Sequence, residues 1–288
     1  MEILQPQSLR EALEAKAALP EATPLAGGTD LMVELNFATR RPKAILDLTR
    51  VPELAEWSRR DGRVTIGAGV TYSRLIDELA ADLPGLAAAS RTVGSPQIRN
   101  RGTVGGNLGT ASPAGDALPP LMASGAEVEL SSVRGARTLE LQRFLVGPKR
   151  NALQGDELIT AVHVPRAAGP QQFSKIGTRN AMVIAVAALA LALDARTRSV
   201  GVAIGSAGPV VVRAEEAERW LAEALEEAGS WEQGTAIDDR VTRRFGELVA
   251  AAASPIDDVR GTAAYRRHAL AVMARRTLAW AWDEHRGG

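Results

Sequence analysis

Cysteine is absent from the 288 residues of this chain. A chain without thiols can form no disulfide bond, and it can ligate no iron–sulfur cluster through its own thiolates. Histidine is nearly as scarce: His163, His268 and His285 lie far apart and match neither an HxxxH nor an HExxH spacing. We therefore expect structural or surface roles for the three histidines, no metal site, and any redox metal on another chain.

Excess charge of either sign is also missing, because 34 lysines and arginines balance 34 aspartates and glutamates. This balance argues against nucleic-acid binding and against an acidic tail. The longest apolar run, residues 181–193, is rich in alanine and too short to span a bilayer. The first six residues lack the basic and apolar regions of a secretory signal. We expect a soluble, cytoplasmic protein with one large domain or two ordinary ones.

Apolar periodicity and turn residues predict an α+β chain. Ser8 fits the N-cap of a helix over residues 8–19, which Pro20 ends. By periodicity alone, the run 181–193 fits either a strand or a buried helix. A change in composition at residues 167–170 indicates a linker. The other predicted elements are helices beginning at residues 31 and 71, a closing amphipathic helix over 265–282, and strands at 44–48, 64–68, 126–130, 173–176 and 199–204.

Two glycine-rich segments are the candidates for chemistry. The first comprises Leu25, Ala26, Gly27, Gly28, Thr29, Asp30 and Leu31. The second comprises residues 99–110 and has four glycines from Gly102 to Gly109. Glycines let backbone N–H groups approach an anion closely, so both segments suit a diphosphate. Neither is a Walker loop, and neither matches GxGxxG after a strand. Each alone fits a simple turn equally well, whereas the pair favours nucleotide binding.

Longer motifs resemble one family, the FAD-binding medium subunits of the xanthine dehydrogenase and aerobic carbon monoxide dehydrogenase family of molybdenum hydroxylases. The similarity covers nearly the whole chain, and its central segment is the most specific. The matching motifs are AGGTDL at 26–31, TIGAGVTYS at 65–73, IRNRGTVGGNLGTASPAGDALP at 98–119, DELITAVHVP at 156–165, FSKIGTR at 173–179 and AYRRHALAVMARRTL at 264–278.

The resemblance implies a PCMH-type FAD-binding fold of two α+β subdomains, followed by a smaller C-terminal α+β domain. We place the FAD-binding domain at residues 1–168 and the C-terminal domain of the flavoprotein subunit at 169–288. The FAD should be non-covalent, because the chain has no cysteine and no histidine at the usual attachment sites. The missing cysteines also argue against the family branch that reduces coenzyme A thioesters.

Site residues follow from the same resemblance. Residues 25–31 would cradle the pyrophosphate through backbone N–H groups, and Val93 would lie against the adenine. Asp116 would hydrogen-bond the cofactor, while the backbone of Ile159 and the ammonium of Lys175 would meet the isoalloxazine, where a fixed positive charge raises the flavin potential. The second diphosphate and ribose wall would be Thr103, Val104, Gly105, Gly106 and Asn107. Taken by themselves, Asp116 also fits a helix cap and Lys175 a solvated charge.

The resemblance also implies partners and a role in electron transfer, with no catalytic residue on this chain. A large molybdenum-binding subunit would oxidise the substrate with water, and a small subunit would carry the [2Fe–2S] clusters, in a heterotrimer or a dimer of heterotrimers. Electrons would reach FAD here and leave to an external acceptor. Two alternatives remain open from the sequence: a self-sufficient FAD-dependent reductase of the same superfamily, and a nucleotide-binding subunit that catalyses nothing.

Overall fold

The computed structural model describes residues 1–287. The elements in the first third are β1 (Glu2–Leu4), α1 (Leu9–Ala18), β2 (Thr23–Leu25), α2 (Leu31–Asn36), β3 (Ala44–Asp47), a 3-10 helix (Pro52–Ala55), β4 (Trp57–Arg60), β5 (Arg63–Gly67), α3 (Tyr72–Glu78) and α4 (Pro84–Arg91). The middle third contains α5 (Pro96–Arg99), α6 (Val104–Thr110), α7 (Leu118–Ala123), β6 (Glu127–Ser132), β7 (Gly135–Glu140), α8 (Leu141–Phe144), β8 (Leu145–Gly147), β9 (Arg150–Asn151), β10 (Leu158–Pro165), β11 (Gln171–Ile176) and β12 (Ala187–Asp194). The last third contains β13 (Ser199–Gly205), β14 (Val212–Arg213), α9 (Glu215–Glu227), α10 (Ser230–Gln233), α11 (Asp239–Ala251) and α12 (Ala263–Gly287).

A small parallel sheet begins the chain. β1 and β2 both pair in parallel with the central strand β3, and α1 makes the connection from β1 to β2. The Ser8 hydroxyl accepts a hydrogen bond from the Glu11 N–H at 3.2 Å, which confirms the predicted N-cap of α1. Because β2 ends at Leu25, the first glycine segment starts directly at the carboxyl end of a parallel strand. This is the edge of a sheet at which α/β proteins commonly bind ligands.

An antiparallel sheet in the order β4-β5-β10-β6-β7 forms the second layer. One face of this sheet carries polar side chains. On that face the His163 ring nitrogens lie 3.0 Å from Thr65 Oγ1 and 3.1 Å from Glu129 Oε2. The ladder between β10 and β6 shifts register between Ile159 and Ala161. The side chains that this sheet contributes to the first hydrophobic core include Val64, Ile66, Val128, Leu130, Val162 and Val164.

The C-terminal part is an antiparallel sheet, β11-β12-β13-β14, with α9 and α12 packed against it and α11 packed on these two helices. Residues 187–193 of the alanine-rich run lie in the strand β12, which decides between the two alternatives that the periodicity left open. Its leucines belong to the core beneath the helices, whereas Ala190 and Ala192 pack against the core of the first part. A strand covered on both faces has no polar alternation, and for this reason the pattern was ambiguous.

The closing helix α12 is longer than the predicted 265–282. Leu270, Met273, Leu278 and Trp282 are buried against the second core, whereas Tyr265 stays exposed. Over residues 1–287, no helix combines the length and the apolar character needed to cross a membrane.

Arg266 and Asp258 anchor the start of α12, and this contact predicts a pH-dependent stability. The Asp258 carboxylate accepts from the Arg260 backbone N–H at 2.8 Å and from the Arg266 guanidinium at 2.6 Å, and these bonds lower its pKa. A carboxylate whose pKa is lowered by folding stabilises the fold above its unfolded pKa, and it loses this contribution as the pH falls through its folded pKa.

We expect Asp258→Asn to reduce stability at neutral pH, and the difference from the parent to shrink below about pH 4, the ordinary pKa of aspartate. Urea unfolding at pH 7, 4 and 3 measures this. Asp283→Asn is the matched control, because Asp283 lies near the other end of α12 with its side chain 71% exposed. Equal differences at all three pH values would contradict the prediction.

Candidate functional site

The first glycine segment is a loop with unused backbone donors. It runs from the end of β2 into α2, and Gly28 adopts a φ of +77°, which favours glycine. Among the hydrogen bonds formed within residues 1–287, none is donated by the backbone N–H groups of residues 26–31. Six consecutive free N–H groups on a glycine loop are the arrangement that binds a diphosphate.

The second glycine segment is more closely packed than its composition suggests. Thr103 is the N-cap of α6 and accepts a hydrogen bond from the Gly106 N–H at 2.9 Å. The Gly105 N–H donates to Ala68 O at 2.9 Å. A Cβ on Gly105 would lie 2.5 Å from the Ala68 Cβ. The N–H groups of Gly105 and Gly106 are therefore used inside the protein, and this segment is a packed helix rather than a second open loop.

The two segments touch each other. A Cβ on Gly27 would lie 1.9 Å from Arg101 O and 2.9 Å from Gly102 Cα, so only glycine permits this approach. The Thr110 hydroxyl at the end of α6 donates to Asp30 Oδ2 at 2.9 Å. The fold therefore brings together two segments that are about seventy residues apart in the sequence.

Three buried polar atoms near these segments have no hydrogen-bond partner within the described part of the chain. They are the Tyr72 hydroxyl, Asn107 Oδ1 and Asp116 Oδ1. A buried polar atom without a partner costs free energy, on the order of 1–3 kcal/mol. Natural structures leave few such atoms, and a ligand is one way to satisfy them. These atoms, with the free loop donors, fit a large polar cofactor.

Tyr72 is a site residue that the sequence did not single out. It lies inside the TIGAGVTYS motif and is 3% exposed, and its backbone N–H donates to Gly102 O at 3.1 Å. Burial raises the pKa of its hydroxyl, and the nearby charges of Asp116 and Asp30 raise it further. The only signal in the sequence was a hydroxyl-bearing aromatic in a chain that has two tyrosines.

Lys175 and Asp116 form a buried ion pair across the two parts of the chain. The Lys175 Nζ lies 2.6 Å from Asp116 Oδ2, and the two side chains are only 8% and 11% exposed. Burial raises the pKa of Asp116, while Lys175 and the Thr92 hydroxyl oppose this effect. Lys175 is therefore not a solvated charge, and Asp116 caps no helix, because the residue before α7 is Ala117. The lysine charge is balanced by a carboxylate rather than isolated.

Val93 follows Thr92, which contacts the ion pair, and Ile159 lies next to α6. Val93 is half-buried against the first core, directly after Thr92, and its carbonyl accepts from Arg99 Nη1 at 3.1 Å. Ile159 is 8% exposed, and its Cδ1 would be 3.8 Å from a Cβ on Gly109 of α6. Ile159 thus borders α6, and Val93 adjoins Thr92, whose hydroxyl contacts Asp116. In the described chain, no group of three or more histidine, aspartate or glutamate side chains is arranged to hold a metal.

Two known family profiles match this chain, one over its N-terminal part and one over its C-terminal part. The profile of the FAD binding domain in molybdopterin dehydrogenase matches residues 1–167. The profile of the CO dehydrogenase flavoprotein C-terminal domain matches residues 172–281. The chain belongs to the family of FAD-binding flavoprotein subunits of molybdopterin dehydrogenases, which are oxidoreductases. The resemblance seen in the sequence is thereby confirmed.

Individual proteins of this family are similar to the chain over nearly its whole length. The chain is 30% identical to the nicotine 6-hydroxylase medium subunit of Paenarthrobacter nicotinovorans, over 95% of this chain and 94% of that protein. It is 31% identical to the carbon monoxide dehydrogenase medium chain of Afipia carboxidovorans, over 95% and 94%. Among solved structures, reconstituted CO dehydrogenase from Oligotropha carboxidovorans matches with a TM-score of 0.90 at 29% identity, covering 99% of this chain and 98% of that one. The predicted α+β, two-part fold is confirmed.

Proposed function

We propose that this chain is the electron-transfer subunit of a molybdenum hydroxylase complex: it binds FAD non-covalently, receives electrons from [2Fe–2S] clusters on a partner and passes them to an external acceptor. One observation supports this proposal: the loop 26–31 has free backbone N–H donors, and the same region holds the Lys175–Asp116 pair and three buried polar atoms without a hydrogen-bond partner. When bound, FAD supplies the redox chemistry. The residues of this chain bind it, orient it and set the charge around it.

The proposed contacts keep the roles that the resemblance implies. The backbone N–H groups of the loop 25–31 hold the diphosphate, and Val93 borders the adenine. Thr103, Val104, Gly105, Gly106 and Asn107 form the opposite wall by shape and side chains, because the N–H groups of the last four are already bonded within the protein. Asp116 accepts a hydrogen bond from the cofactor, while the Ile159 backbone and Lys175 border the isoalloxazine.

We further propose a boundary at residue 168 between an FAD-binding domain, 1–168, and a C-terminal domain, 169–288. Lys175 follows this boundary by seven residues and reaches back to Asp116. The C-terminal domain therefore closes the site instead of standing apart from it. Loss of the C-terminal domain would leave the buried Asp116 carboxylate without its cation.

The proposed partners are a molybdenum-binding large subunit and a [2Fe–2S] small subunit, as a heterotrimer or a dimer of heterotrimers. Several relatives are named as medium subunits or chains, and one as subunit alpha of a dehydrogenase complex. The absence of cysteine from this chain supports placing thiolate-bound clusters on a partner.

Purification of the chain alone tests the proposal. We expect a yellow protein with one FAD per chain, unable to hydroxylate a purine, an aldehyde, an N-heterocycle or carbon monoxide, and activity only when the two partner chains are added. Absorbance at flavin wavelengths and substrate turnover are the measurements. Hydroxylation by the isolated chain would contradict the proposal. So would NADPH oxidation by the chain alone with UDP-N-acetylenolpyruvylglucosamine, which would favour the self-sufficient reductase.

A further inference from the structure

Tyr72 is held rigidly at the point where the two glycine segments meet. It is the first residue of α3, whose N-cap is Thr71, and its backbone N–H is bonded to Gly102 O. Its ring lies against Gly102, since a Cβ on that glycine would be 3.2 Å from the ring carbons. Gly102 in turn abuts Gly27. The ring therefore belongs to the packed floor beneath the candidate site.

The Tyr72 hydroxyl can act as a hydrogen-bond donor at any physiological pH. Burial and the nearby charges of Asp116 and Asp30 raise its pKa, so that it stays protonated. Within residues 1–287 it bonds to no protein atom. A buried phenol hydroxyl without a hydrogen-bond partner destabilises the cofactor-free chain, and a ligand that supplies the partner is bound more tightly.

The three partnerless atoms together indicate which chemical group fits. Asn107 Oδ1 and an ionised Asp116 Oδ1 only accept hydrogen bonds, whereas the Tyr72 hydroxyl can donate or accept. A phosphate carries only acceptors, so it could satisfy the tyrosine but not the other two atoms. Alcohol groups both donate and accept, and a chain of several alcohols satisfies all three.

The ribityl chain of FAD is such a polyol. The adenosine ribose is a second source of hydroxyls, but Asp116 is the partner of Lys175, which the proposed function places at the isoalloxazine. The ribityl chain is the polyol attached to that ring system. We propose that the Tyr72 hydroxyl hydrogen-bonds a ribityl hydroxyl of FAD, with Asn107 and Asp116 accepting from neighbouring hydroxyls. This inference rests on the proposed function, because it presupposes bound FAD.

The test uses Tyr72→Phe in the full chain stripped of its cofactor, with Tyr265→Phe as the matched control, because the other tyrosine is 48% exposed. Titration of FAD, followed by flavin fluorescence, should show a Kd for Tyr72→Phe raised roughly tenfold, the effect of one buried hydrogen bond. The control should bind like the parent. The cofactor-free Tyr72→Phe chain should melt at the parent temperature or above it, because its hydroxyl has no protein partner to lose.

Two further ligands locate the contact. FMN contains the ribityl chain without the adenosine, and ADP contains the ribose without the ribityl chain. We expect Tyr72→Phe to weaken FMN binding by about the same factor as FAD binding, and to leave competition by ADP unchanged. Weakened ADP binding with unchanged FMN binding would overturn the inference in favour of the ribose.

The remaining outcomes are equally distinct. A lower melting temperature for the cofactor-free Tyr72→Phe chain would mean a structural hydroxyl and overturn the inference. Equal FAD affinity of parent and Tyr72→Phe would also overturn it, while leaving the proposed function intact. Failure of the parent chain itself to bind FAD would reject the proposed function.

Discussion

Gly27→Ala should weaken FAD binding by roughly two orders of magnitude, the largest effect on affinity that we expect from one methyl group. Its Cβ would lie 1.9 Å from Arg101 O, closer than any real contact, and the atom in the way is backbone that cannot rotate aside. The loop 26–31 must then move away from the second glycine segment. Its N–H groups would lose their position relative to the opposite wall. A titration of the cofactor-free chain with FAD measures the loss.

The control for this prediction is Gly155→Ala. A Cβ there would lie 3.6 Å from the Pro20 Cβ, which is an ordinary contact, and Gly155 belongs to neither glycine segment. Circular dichroism should show that both variants are folded. Unchanged affinity and full FAD stoichiometry in a folded Gly27→Ala chain would refute the assignment of this loop.

Lys175→Met should be the most destabilising of the substitutions considered, at a cost of about 3–5 kcal/mol at neutral pH. The variant leaves the Asp116 carboxylate buried without its cation, and removal of one partner from a buried pair is costly for that reason. Because an uncharged carboxyl group needs no cation, the loss should shrink as the pH falls. Urea unfolding at pH 7 and at pH 5 measures both effects.

The reduction potential of bound FAD provides a second test of the Lys175–Asp116 pair. An intact pair of Lys175 and Asp116 sums to no net charge, so Lys175→Met changes the local charge by −1 and should lower the potential of bound FAD. The double variant Lys175→Met with Asp116→Asn is the matched control, since it again sums to zero. It should recover most of the stability and most of the potential. A single variant with parental stability and potential would place Lys175 outside the flavin site.

The family of this protein and several of its helices and strands could be predicted from short stretches of its sequence. The motif around residues 98–119 sufficed to indicate the family, and the missing cysteines excluded thiolate-held clusters, because neither inference needs a contact between distant residues. The N-cap Ser8 and the turn residues that separate the strands act within a few positions of the chain, so those elements were predictable. The assigned roles of the individual site residues remain predictions.

Other features were decided only when distant segments packed together. The four glycines indicated a turn or a diphosphate-binding segment, since glycine is a poor helix former, yet Val104–Thr110 is a helix because Gly105 allows it to pack on Ala68. The alanine-rich run became a strand because cores on both sides cover it. Asp116 and Lys175 are 59 residues apart, and no periodicity relates them. The pairing of these two residues depends on which surfaces the two parts of the chain bury against each other. The same is true of the Tyr72 hydroxyl, which has no hydrogen-bond partner. Burial of this kind is a property of the folded chain alone.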